Sequence, residues 1–199
     1  MTAQALRIST DLAFPLEAVT QTFSLLGKRG SGKTHTASVL VEEMLKAGLQ
    51  VVVLDPLEVW WGLRASADGQ GPGLPILVFG GSHGDLPLDA QAGQALADLV
   101  VEERLSAVLS LRHLRKSEQQ RLVTEFAERL YQRKGEDRYR QPLHVVIDEA
   151  DAFVPQRVFS GQERMVGAVD DLVRRGRASG IGVTLIPQRA AVINKDVQN

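Results

Sequence analysis

Apolar positions along the chain alternate between short continuous runs and longer stretches in which they recur every three or four residues. Phe23–Leu26 is such a run, followed by a Gly-rich turn and a helical face made of Ala37, Leu40, Val41, Met44 and Leu45, with Gly48 as its stop. Val51–Leu54 is β-branched and continuous, bounded by Asp55-Pro56, and predicts a strand buried on both faces. A Gly/Pro-rich loop, Asp68–Pro75, leads into a strand at Ile76–Phe79, ended by Gly80-Gly81. Asp89 predicts the cap of a helix that turns Ala92, Leu96, Leu99 and Val100 inward and runs to about Arg104, before a strand at Ala107–Leu111. Ser117 and Gln120 read as a capping box for a helix with Leu122, Val123, Phe126 and Leu130 on one face, ending at Gly135. Leu143–Ile147 is another buried strand. Ser160 and Glu163 read as a second capping box, for a helix with Met165, Val166, Val169, Leu172 and Val173 inward, ended by Gly180; Ile181–Ile186 is the last strand. Strands separated by helices imply parallel βαβ units, hence an α/β fold with a mostly parallel sheet and helices on both faces.

Composition is consistent with this. Of 199 residues, 44% are hydrophobic and 24% charged, with a net charge of -1, which excludes a disordered chain and a uniformly basic nucleic-acid binder. With no cysteine, disulfides, thiolate metal sites and cysteine nucleophiles are ruled out. Met1–Phe14 has neither a basic leader nor a long apolar core, and no apolar run is long enough for a bilayer, so no membrane association and a cytoplasmic location are expected. The near-neutral sum hides an asymmetry. Residues 35–103 carry 2 basic and 10 acidic groups, whereas residues 104–140 carry 10 and 5. Such a distribution fits a polyanion-facing surface, complementary subunit faces or a set of solvated helix faces.

The chemistry concentrates at Gly27-Lys28-Arg29-Gly30-Ser31-Gly32-Lys33-Thr34, followed by His35. It fits G-x-x-x-x-G-K-[ST] at every fixed position and lies between a predicted strand and a predicted helix. Glycines let the backbone curl until its N–H groups point at phosphate oxygens, and the helix N-terminus adds positive potential. Lys33 is placed to reach the β and γ phosphates of a nucleoside triphosphate, and the Thr34 hydroxyl is a hard oxygen donor for Mg²⁺.

Hydrolysis also needs a group that activates water. Val145-Val146-Ile147-Asp148-Glu149 supplies a strand ending in two carboxylates, with Asp148 expected at the metal and Glu149 as general base. Asp151, two residues on, reads as a loop or capping carboxylate. The last strand runs into Pro187, Gln188 and Arg189, which puts the Gln188 amide at the ligand-binding end of the sheet, within reach of a γ phosphate or the attacking water.

These motifs, with Ala150, Arg174-Arg175-Gly176-Arg177 and Gly182 through Gln188, the segment Asn194-Lys195-Asp196-Val197, and Asp55-Pro56-Leu57-Glu58-Val59-Trp60-Trp61-Gly62-Leu63, resemble the HerA/FtsK superfamily of P-loop motor ATPases. They are nearest its HerA-like (DUF87-type) branch. The resemblance implies a RecA-like core that binds ATP and Mg²⁺, assembles as a homo-oligomeric hexameric ring and moves double-stranded DNA in helicase or translocase fashion, beside a nuclease or other effector. Carried over residue by residue, Lys33 and Thr34 bind nucleotide and metal, Asp148 and Glu149 form the Walker B pair, and Gln188 is a sensor. Residues 1–199 read as one such core with its last strand missing, which leaves the P-loop strand at a sheet edge. The 22 residues before the first strand are too few for the family's N-terminal β-barrel.

Other residues stay open between roles. Arg174, Arg175 and Arg177 suit either an arginine finger for a neighbouring subunit or simple complementation of a helix C-terminus. Asp55 is either a metal-shell carboxylate or a turn former. Trp60 and Trp61 suit burial or an interface better than base stacking. His83 has no ligand partners at a recognised spacing, and Arg112, Arg115, Lys116 and Arg121 form a basic stretch suited to phosphate contact. The alternative function is a nucleotide-binding regulatory or assembly module without motor activity. A small-molecule kinase would need a lid-like arginine cluster after the Walker B strand, which the sequence lacks.

Overall fold

The computed structural model describes residues 5–28, 30–66 and 71–188; Arg29, Arg189 and the Asn194–Val197 segment lie outside them. A six-stranded, all-parallel sheet forms the centre. Its strands are β3 (Thr22–Ser24), β4 (Gln50–Asp55), β5 (Leu77–Phe79), β6 (Ala107–Ser110), β7 (Leu143–Asp148) and β8 (Ile181–Ile186), in the spatial order β3-β8-β7-β4-β6-β5. The α-helices are α1 (Lys33–Lys46), α2 (Gly93–Glu102), α3 (Lys116–Lys134) and α4 (Glu163–Arg175). The predicted α/β class is thus observed.

Alternation along the strands sorts the core into two layers. Val52 and Leu54 of β4, with Leu143, Val145 and Ile147 of β7, pack under α2, α3 and α4. Val51, Val53 and Val146 face the opposite layer, where Ala37, Leu40, Val41 and Met44 of α1 meet Leu6, Val19 and Trp60. Each such aliphatic side chain removed from water contributes about 1.5–3 kcal/mol, so strands apolar on both faces are held firmly.

A small antiparallel hairpin, β1 (Ala5–Arg7) with β2 (Ala13–Pro15), and a 3-10 turn at Leu16–Thr20 precede the sheet. Periodicity could not find them, because three-residue strands carry one buried position or none. Leu6 is nevertheless fully buried, and Phe14 packs on Phe23 with ring centroids 5.4 Å apart. β3 pairs with β8 and with no other described strand.

Several local expectations change. α3 is capped two residues earlier than the Ser117/Gln120 pattern suggested: the Glu118 carboxylate accepts the Arg115 N–H at 2.7 Å. Ser160 and Glu163 form no box either. α4 starts at Glu163, whose carboxylate accepts the Gly161 N–H at 2.7 Å, and it stops at Arg175; a 3-10 turn then reaches Gly180. Asp89 caps a turn through the Gln91 N–H at 2.7 Å, ahead of an α2 that begins only at Gly93 and ends at Glu102. Leu99, read as inward, is exposed.

Candidate nucleotide-binding site

The segment after β3 has to reverse direction within a few residues and then start a helix. Gly30 (φ 79°) and Gly32 (φ 85°) take the left-handed conformations this requires, and Gly32 is the residue immediately before α1. The chain therefore delivers Lys33 as the first helical residue. Its ammonium turns back into the loop and donates to the carbonyls of Gly27 at 3.1 Å and Lys28 at 3.3 Å, while the Ser31 N–H donates to Lys28 O at 3.1 Å.

Across from it stand the ends of β7 and β8. Parallel pairing puts Asp148 beside Ile186, and Glu149 follows with φ 51°, a left-handed backbone that a non-glycine residue adopts at a cost of about 1 kcal/mol or more. The Gln188 amide donates to Glu149 Oε1 at 2.9 Å, and the Gln188 N–H donates to Asp151 Oδ1 at 3.0 Å. Asp151 thus holds the residue that is bonded to Glu149. Gly30, Gly32, Lys33, Thr34, His35, Asp148, Glu149 and Gln188 line one open cleft of about 410 Å³, completed by Leu57, Ile186 and Pro187. Gly27, Lys28 and Ser31 shape the loop rather than line the cleft.

Both carboxyl groups have raised pKa values, with burial as the main cause. For Asp148, hydrogen bonds from Trp60 and the Glu149 N–H, then the Lys33 charge, pull partly back. For Glu149, the hydrogen bond from Gln188 does so first. Lys33 thus favours the ionised form of both without an ion pair to either. Among the described residues no cluster of three His, Asp or Glu side chains could hold a metal by itself. The Thr34 hydroxyl and the Asp148 carboxylate at the cleft are hard oxygen donors of the kind that suits Mg²⁺, a cation that keeps several waters and takes its other oxygens from substrate phosphates.

Asp55 is fully buried and spends its oxygens on a turn, accepting the Leu57 N–H at 3.1 Å and the Trp60 N–H at 2.9 Å; burial raises its pKa. Of the two open roles for Asp55, the structure gives it the turn. Trp60 is buried, and its indole N–H donates to Asp148 Oδ2 at 2.9 Å. Sequence reasoning did not connect these residues. The available signal was that a buried tryptophan requires an acceptor; which acceptor is decided only by the pairing of β4 with β7. Trp61 is part-exposed and stacks on His83, centroids 4.0 Å apart. Arg174 and Arg175 bridge to Asp170 and Asp171 one turn back on α4.

A family model described as "Helicase HerA, central domain" matches residues 5–58, the hairpin through the turn after β4. This match shows the likeness to HerA-type ATPases read from the motifs. No curated protein matches the sequence. The fold is shared with the genome packaging NTPase B204 from Sulfolobus turreted icosahedral virus 2 in complex with sulfate: TM-score 0.55, 15% identity, 89% of this chain and 69% of that one. The same protein in complex with ATP-gammaS gives TM-score 0.51 at 19% identity, covering 90% and 71%. The pCW3 conjugation coupling protein TcpA, in a monomer form with ATPgS, gives 0.50 at 17%, with 96% of this chain covering 49% of that one.

Proposed function

We propose that the chain is the ATP-hydrolysing core of a HerA-type motor, one RecA-like unit that couples hydrolysis to movement of double-stranded DNA. The observation that carries this is the convergence of Lys33, Thr34, Asp148, Glu149 and Gln188 on one cleft from three separate parts of the sequence. The fold shared with a genome packaging NTPase and a conjugation coupling protein supports it.

In this reading the loop N–H groups and the start of α1 receive the phosphates, and Lys33 exchanges its two carbonyl acceptors for phosphate oxygens. Thr34 and Asp148 hold Mg²⁺, which when bound neutralises charge on the phosphate oxygens. Glu149 takes a proton from the water that attacks the γ phosphorus while the bond to the β-phosphate oxygen breaks. Its raised pKa makes it a better base than an ordinary carboxylate. Gln188, already bonded to Glu149, turns toward the γ phosphate or the water and so distinguishes ATP from ADP. The homo-oligomer is a ring, expected to be hexameric. The exposed Arg112, Arg115 and Lys116 offer its phosphate contacts to duplex DNA, and a nuclease or other effector is the expected protein partner. Among the described residues no helix is long and apolar enough to cross a membrane.

The test is ATP turnover by the assembled protein with and without duplex DNA. Turnover that rises with DNA and falls by about 10³-fold in Lys33→Ala is expected. Nucleotide binding by the wild type with no turnover under either condition sinks the motor reading and leaves a regulatory nucleotide-binding module. Mass measurement with ATP present checks the ring.

A further inference from the structure

We propose that Trp60 is a positioning residue for the metal side of this cleft, acting through the orientation of Asp148; the inference rests on the reading of Asp148 as a metal-shell carboxylate. Both oxygens of Asp148 are held from the protein side: Oδ2 accepts the Trp60 indole N–H at 2.9 Å and Oδ1 accepts the Glu149 backbone N–H at 2.9 Å. Asp148 is only 3% exposed, and these two donors set the plane of its carboxylate from the protein side.

Trp60 is itself fixed. Its backbone N–H donates to Asp55 Oδ2, and its ring is buried in the layer that contains Val51, Val53 and Val146. β4 and β7 are adjacent and in register, Leu54 opposite Ile147, so Asp55 and Asp148 emerge side by side at the same end of the sheet. The short turn after Asp55 brings the indole back between the two strand ends. The order of dependence is Asp55, then the backbone of Trp60, then its indole, then Asp148.

The chemistry of the side chain suits this task. An indole N–H is a donor with no acceptor and no charge, on a rigid apolar body with two torsions. It fixes a carboxylate by a charge-assisted hydrogen bond while leaving the negative charge free for a cation. A lysine or arginine at the same place would neutralise that charge and compete with the metal. Outer partners of this kind orient a ligand, and their loss typically lowers metal affinity or activity about 10–100-fold.

The experiment compares wild type with Trp60→Phe, which keeps an aromatic ring and removes the N–H. Mn²⁺ binding is followed by electron paramagnetic resonance in the presence of ATP-gammaS, and binding of the nucleotide without metal is measured alongside. The expected result is Mn²⁺ affinity reduced about 10-fold with metal-free nucleotide affinity unchanged. Equal Mn²⁺ affinity in both proteins overturns the positioning role and leaves the ATPase reading standing. If the wild type takes up no Mn²⁺ with nucleotide, the reading of the cleft fails and the inference with it. A second measurement does not depend on how well Trp60→Phe folds. The Trp60 indole proton, assigned with Trp61→Phe, should exchange slowly in the wild type and much faster in Asp148→Asn. Equal exchange in the two also overturns the proposal.

Discussion

The two ends of β7 carry polar residues on the same face of the same strand, and they differ in what is left over. His144 lies near the start, Asp148 at the end, two pleats apart and facing the same layer. His144 is fully buried with both ring nitrogens engaged: Nδ1 with the Val19 carbonyl at 2.7 Å and Nε2 with the Thr184 hydroxyl at 2.7 Å. Burial keeps the ring neutral, so Nδ1 donates to the carbonyl and Nε2 accepts from the hydroxyl. Asp148 is almost as buried, yet it stands at the cleft, where its oxygens keep further lone pairs for a ligand. Burial alone therefore does not distinguish a polar residue whose bonds are all spent from one able to take a ligand; unspent hydrogen-bonding capacity beside a cavity does.

The comparison breaks most sharply at the open end. Glu149→Gln keeps the shape of the cleft and removes the proposed base, so turnover should fall about 10³-fold with ATP-gammaS affinity nearly unchanged. Single-turnover hydrolysis beside a binding titration checks this, and a loss of less than about 10-fold would remove Glu149 from the role of base.

At the closed end the expected effect is on stability and depends on pH. Burial holds His144 down to about 4, with the Val19 hydrogen bond pulling weakly the other way. The folded state therefore resists protonation, and the unfolded chain takes up a proton below its ordinary value near 6.5. The contribution is present above about pH 6.5 and is lost as pH falls toward 4, amounting to about 3 kcal/mol. Denaturant unfolding at pH 7 and pH 4 should show this loss in the wild type and not in His144→Gln; parallel curves for the two proteins would show that His144 titrates normally.

A smaller effect tests how the closed end is built. Gly182 pairs opposite His144 in β8, and a Cβ there would lie 2.1 Å from the Val19 carbonyl oxygen and 2.7 Å from His144 Nδ1. Gly182→Ala should destabilise by about 2 kcal/mol by pushing the Leu16–Thr20 turn off the sheet. Thermal unfolding measures it, and an unchanged midpoint would mean that the turn is not held there.

The chain's order of hydrophobic runs and helical periods was enough to determine the α/β class, the strands from β3 to β8 and the helices between them. Spacing alone pointed to the phosphate-loop motif, because its glycines, Lys33 and Thr34 stand within eight consecutive residues. Asp148, Glu149 and Gln188 could be named because each stands at or just past the end of an apolar strand. The rest was decided by tertiary structure, for one physical reason: the partners are far apart in the chain. Periodicity needs several turns or pleats to register, so the three-residue strands of the hairpin left no mark, and helix caps shifted by a few residues where nearby polar groups competed for the same N–H groups. Asp55 and Trp60 looked like a turn and a core residue. Only the pairing of β4 with β7 made them one hydrogen-bonded chain ending on Asp148, just as only the pairing of β7 with β8 closed His144 against Thr184.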